Sequence, residues 1–133
     1  MLYLDVRCGC RKGGLLLENE YTVDDFLGLR AQNKLEGWLD GVYLIKNQTK
    51  DMYYVGQSIN VKDRLFTHFT GRGNGDVYFD YRIGDSFLVR YYPFNPNQFR
   101  SIDELEYHLI RIYQSSETGY NRQQGNRVRT TVP

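Results

Sequence analysis

The chain has 133 residues, a formal net charge of +1, and a composition that is 41% hydrophobic and 25% charged. That length suits one ordinary domain with a real core and leaves little room for a second module. The balanced charge excludes a strongly basic nucleic-acid binder, although the first forty residues carry the acidic excess and the remainder the basic one.

Cys8 and Cys10 stand one residue apart, with the two histidines, His68 and His108, far downstream. They complete no four-ligand zinc pattern and read as free thiols. No basic segment followed by a long apolar run opens the chain, and nowhere are eighteen consecutive residues apolar. The expectation is a cytoplasmic protein without a membrane span. Twelve tyrosines make the phenol the side chain to follow, most of them as amphipathic packing at the rim of the core.

In chain order, L-Y-L-D-V and L-L-L-E-N-E-Y bracket a Gly-rich turn and predict two short strands. Thr22, with Asp25 three residues on, starts a helix to about residue 33. Residues 1–40 thus form an N-terminal extension of hairpin plus helix that could pack on the core or serve as a dimerising appendage. G-V-Y-L-I-K and M-Y-Y-V-G-Q then predict two strands joined by a turn over residues 47–51. Asn60 and Asp63 start a helix of about 60–70 with Val61, Leu65 and Phe69 along one line. The run G-R-G-N-G-D reads as a cap and turn, since it contains no G-x-G-x-x-G. S-F-L-V-R-Y-Y is a third strand of this part, closed by Pro93 and Pro96. Ser101 and Glu104 form an S-x-x-E capping box for a helix of about 102–115. Residues 41–133 make up the main domain with its basic tail.

Three groups of residues carry chemistry. Glu106 lies inside the apolar stripe of the last helix, between Ile102 and Ile110 and beside Leu105 and Leu109. A carboxylate there must be paired, protonated or bound to a cation, so an arginine partner and a metal are both open. Arg64 and His68 share one face of the preceding helix; an arginine can fork onto phosphate and a histidine can move a proton, while a solvated face is the bland alternative. Tyr43 and Tyr54, on adjacent strands, can bring two phenols to one side of a sheet, where packing alone would also explain them.

In order and spacing these residues resemble the GIY-YIG nuclease superfamily. The elements are Gly41-Val42-Tyr43, Tyr54-Val55-Gly56, Arg64 with His68 one turn on, Glu106, and Asn121 in G-Y-N. The resemblance covers residues 41 to about 122. One departure is that Arg122-Gln123-Gln124-Gly125 follows G-Y-N, where many relatives have a glycine pair.

The resemblance implies an α+β domain with a three-stranded antiparallel sheet flanked by helices, acting as a metal-dependent DNA endonuclease. It implies one Mg²⁺ or Mn²⁺ held by Glu106 and transition-state charge stabilised by Arg64. Tyr43 would be the base acting on water, with Tyr54 and His68 in the same relay and His68 the alternative base. Gly41 and Gly56 would permit close approach, and Asn121 would tie the C-terminal segment to the site. Lys62, Arg72, Arg100, Arg122, Arg127 and Arg129 are candidate phosphate contacts. One such site nicks one strand, so a double-strand break needs a homodimer, another domain or two nicks. Restriction, phage or mobile-element roles fit. A catalytically inactive DNA-binding module and a structure-specific nicking repair nuclease are the alternatives.

Overall fold

The computed structural model describes residues 18–121; the predicted first strand, Cys8, Cys10 and the arginines at 122, 127 and 129 lie outside that range. The elements run β1 (Glu20–Thr22), α1 (Val23–Ala31), β2 (Gly41–Asn47), β3 (Met52–Ser58), α2 (Val61–His68), α3 (Gly75–Arg82), β4 (Phe87–Pro93) and α4 (Ile102–Tyr113). No helix among the described residues is long and apolar enough to cross a membrane.

The sheet has four antiparallel strands in the order β1-β4-β2-β3, which corrects the expected three. The added strand comes from the segment before Gly41: Glu20, Tyr21 and Thr22 pair with Arg90, Val89 and Leu88. Without them β4 would present its outer row of backbone N–H and C=O groups unpaired, a liability that a short edge strand relieves.

β2 is buried on both faces, which is why G-V-Y-L-I reads as a continuous apolar run and not as an alternation. Tyr43 and Ile45 point to a core shared with Phe26 of α1, Val61 and Leu65 of α2, and Val77 of α3. Val42 and Leu44 point the other way, onto Leu105, Leu109 and Ile110 of α4. Segment 18–40 packs into the first core: Trp38 stacks on Phe26 and on Tyr91, with ring centroids 6.0 and 5.3 Å apart. Such pairs contribute about 0.5–1.5 kcal/mol each beyond the area they bury. Arg30 then links α1 to α2, bonding Asp63 at 2.9 Å while its guanidinium lies over the Phe66 ring.

Side-chain caps set the helix starts. Thr22 accepts from the Asp25 N–H, Asn60 from Asp63, and Ser101 from Glu104. The capping box of α4 is displaced by one residue, because Glu104 accepts the backbone N–H of Arg100 and not that of Ser101. The run read as a simple turn holds a further start: Asn74 accepts from the N–H groups of Asp76 and Val77 and opens α3. This helix escaped the periodicity because its only buried residues are Val77 and Asp80, too few to write an apolar stripe.

Candidate active site

The site is assembled where the β2–β3 pair meets α2. In the register Tyr43 lies opposite Gly56 and Ile45 opposite Tyr54, so both phenols stand on the α2 face, with ring centroids 6.2 Å apart. Gly56 is required by its neighbour: a Cβ on it would lie 2.3 Å from the Tyr43 hydroxyl. Gly41 has a different reason, since a Cβ there would meet the Tyr92 carbonyl oxygen at 2.5 Å. Gly56 makes room for the Tyr43 phenol; Gly41 lets β2 lie against β4.

His68 is fully buried, unlike a side chain on a solvated face. Its Nε2 is 2.7 Å from the Tyr43 hydroxyl, and its Nδ1 accepts the backbone N–H of Asn74 at 2.8 Å. A neutral imidazole carries one proton, and the Asn74 contact requires Nδ1 to be the bare nitrogen. The proton therefore sits on Nε2, which donates to the Tyr43 oxygen. Burial, with the nearby Arg64 charge adding to it, lowers the His68 pKa to about 3 and keeps the ring neutral. Gly73 completes the cradle, because a Cβ there would fall 2.4 Å from Nδ1.

The phenols feel two opposed charges. Burial raises the Tyr43 pKa far above its ordinary value, Tyr54 and Glu106 add to the rise, and Arg64 opposes it by charge and hydrogen bonding. Tyr54 is raised by burial and by Glu106 and lowered by Arg64. Arg64 and Glu106 thus both act on the two phenols although the four residues come from four different elements, and His68 joins them through Tyr43. Arg64 is itself exposed, with its guanidinium near the Thr67 hydroxyl, so it faces solvent at the rim of the phenol pair.

Glu106 is 7% exposed and accepts from the Gln57 amide at 3.0 Å. No lysine or arginine pairs with it among the described residues. Burial, with nearby Asp103 contributing, raises its pKa. No group of three or more His, Cys, Asp or Glu side chains able to hold a metal ion gathers among the described residues. A single carboxylate oxygen donor nevertheless suits Mg²⁺, a hard cation that keeps several waters and takes one or two carboxylates.

Asn121 bonds the backbone of β3. Its side-chain amide donates to the Val55 carbonyl and accepts the Val55 N–H, both at 2.8 Å, in the manner of one more residue paired along the outer edge of β3. The adjacent Tyr120 is anchored in a buried network, donating to Asp80 and accepting from Asn47. Among the candidate phosphate contacts, Arg72 and Arg100 are exposed, Arg100 beside Glu104. Lys62 is mostly covered and bonds Asn60.

Sequence reasoning missed Gly73 and Asn74, which fix His68, and Gln57 and Asp103, which bear on Glu106. Only Asp103 carried a signal: it lies three residues before Glu106, on the same face of the helix.

A family model, the GIY-YIG catalytic domain, matches residues 40–121. The chain belongs to the GIY-YIG family. Among solved structures it is similar to a mutant catalytic domain of the intron endonuclease I-TevI, with 23% identity and a TM-score of 0.50 over 65% of this chain and 96% of that one. At that identity the likeness speaks for the GIY-YIG fold. No curated protein matches the chain.

Proposed function

We propose that this GIY-YIG domain is an endonuclease that hydrolyses phosphodiester bonds in DNA, one strand per site. The observation that carries the reading is that Arg64 and Glu106, from two further elements, both act on the buried Tyr43 phenol and in opposite directions. A base, a cation for a phosphate and a carboxylate that no lysine or arginine pairs among the described residues are the parts that such a hydrolysis needs.

Tyr43 is the base. Its oxygen receives a proton donor from His68 Nε2 and feels the Arg64 charge, and both favour the phenolate. His68 serves as that donor and not as the base, since its bare nitrogen is occupied by Asn74. Arg64, at the rim, faces the phosphate and stabilises the negative charge that grows on it in the transition state. Tyr54 shares the Arg64 charge and lines the same wall. Glu106 would hold a divalent ion, Mg²⁺ or Mn²⁺, which when bound supplies Lewis-acid polarisation of the phosphate and the leaving oxygen. Neutralising Glu106 also removes one of the charges that oppose ionisation of Tyr43. Asn121 holds the C-terminal segment against β3 and takes no part in the chemistry. Arg72, and Arg100 where Glu104 releases it, contact flanking phosphates.

Supercoiled plasmid incubated with the protein and Mg²⁺ tests the reading. Conversion to nicked circles by the natural sequence, with none by Glu106→Gln, is expected. Equal retardation of uncut plasmid by both proteins would leave only a DNA-binding module.

A further inference from the structure

Gln57, the residue after the second motif glycine, connects two buried carboxylates. Its side-chain nitrogen lies 2.6 Å from Asp103 Oδ1 and 3.0 Å from Glu106 Oε1. The two acids stand one turn apart on α4 and are each 7% exposed. An ionised carboxylate only accepts hydrogen bonds, and a primary amide nitrogen carries two hydrogens. One hydrogen goes to each acid, so the amide can lie only one way round: its oxygen could not face two carboxylates.

From this we infer that Gln57 is a positioning residue for Glu106, and that Asp103 acts one step behind it by locking the Gln57 amide. The inference rests on the reading of Glu106 as a cation ligand. A carboxylate on a flexible three-torsion stem does not hold one orientation by itself. Here Gln57 occupies Oε1 of Glu106 and fixes the rotation of the carboxylate group.

The bridge is also neutral. It holds two acids near one another without cancelling the charge of either, whereas a lysine or arginine in its place would compete with an incoming cation. Partners that orient a metal-ligating carboxylate commonly change metal affinity about 10–100-fold when removed.

The test uses the full chain and two readouts. In the first, Mn²⁺ is titrated into the protein without DNA, and its paramagnetic broadening of the Tyr43 and Tyr54 ring resonances is followed by NMR. In the second, the Mg²⁺ concentration for half-maximal plasmid nicking is measured. Gln57→Leu is expected to raise both concentrations about 10–100-fold, with nicking at saturating Mg²⁺ and the KM for DNA close to the parent values. Asp103→Ala is expected to follow in the same direction. Asp103→Asn keeps an acceptor for Gln57 and is expected to lie nearer the parent. Far-ultraviolet circular dichroism and the thermal midpoint identify a variant that has not folded; Gln57→Met, which keeps the length and removes the donor without adding a charge, then takes its place and is expected to show the same loss.

Parent-like Mn²⁺ broadening and Mg²⁺ dependence in folded Gln57 variants would overturn the inference while nicking by the parent kept the nuclease reading intact. A parent chain that neither nicks DNA nor shows Mn²⁺ broadening would overturn both.

Discussion

The Tyr43 hydroxyl lies over Gly56 so closely that a methyl group on that glycine would come within 2.3 Å of it. Tyr43 is 1% exposed and held by His68, so it has nowhere to retreat. Gly56→Ala should therefore displace the phenol and cost about 1–3 kcal/mol as overpacking does. Gly41→Ala is the control, because it strikes the β4 backbone and the Tyr91 ring and not Tyr43. Urea unfolding with plasmid nicking on each variant checks this: activity per folded molecule should collapse for Gly56→Ala and largely survive for Gly41→Ala.

The acid stability of the protein should depend on His68. The folded pKa, about 3, lies below the ordinary value of 6.5, so below pH 6.5 the unfolded chain takes up a proton that the folded chain refuses. Stability is lost as pH falls from about 6.5 to about 3, by roughly 3–5 kcal/mol at most. His68→Gln removes this contribution. Denaturant unfolding at several pH values should show a shallower acid loss in the variant, and parallel curves would refute the buried neutral imidazole.

The pH–rate profile distinguishes the two possible bases. Burial holds the Tyr43 phenol protonated well above neutrality, so the reactive phenolate increases tenfold with each pH unit below that pKa. The logarithm of kcat/KM should rise with unit slope through neutral pH. A histidine base titrating at about 3 would give a profile flat above pH 5. Tyr43→Phe should lower kcat about 10²–10⁴-fold.

Asn121 should matter to the fold more than to the chemistry. Asn121→Ala leaves the N–H and C=O of Val55 without their partner, a loss of about 2–3 kcal/mol for two deprived groups. Thermal unfolding should register it, while nicking per folded molecule changes less than tenfold. Lost activity at unchanged stability would place Asn121 in the reaction.

What could be read from the sequence follows the reach of each interaction. The β2–β3 hairpin was legible from apolar runs around a polar turn, and α4 from its cap and from an apolar stripe that Glu106 interrupts. The resemblance to the GIY-YIG pattern also grouped Tyr43, Tyr54, Arg64 and Glu106. Other features depend on partners that no local pattern announces. β1 completes the sheet because it meets β4 some seventy residues on, judging from the Glu20–Arg90 pair. His68 looked like a surface residue by spacing alone, and the return of Gly73 and Asn74 to its ring, with Tyr43 and Tyr54 on its other side, explains its burial. Gln57 looked like an ordinary strand end because the acids it connects lie 46 and 49 residues away.

The most direct measurement is a crystal structure of Tyr43→Phe with duplex DNA and Mn²⁺, which should bind substrate without turning it over. An anomalous Mn²⁺ peak against the Glu106 carboxylate is expected, with the scissile phosphate between that peak and the Arg64 guanidinium and the ring at position 43 facing the water in line. A DNA backbone seated away from Glu106, or Mn²⁺ bound without it, would contradict the proposed reaction centre.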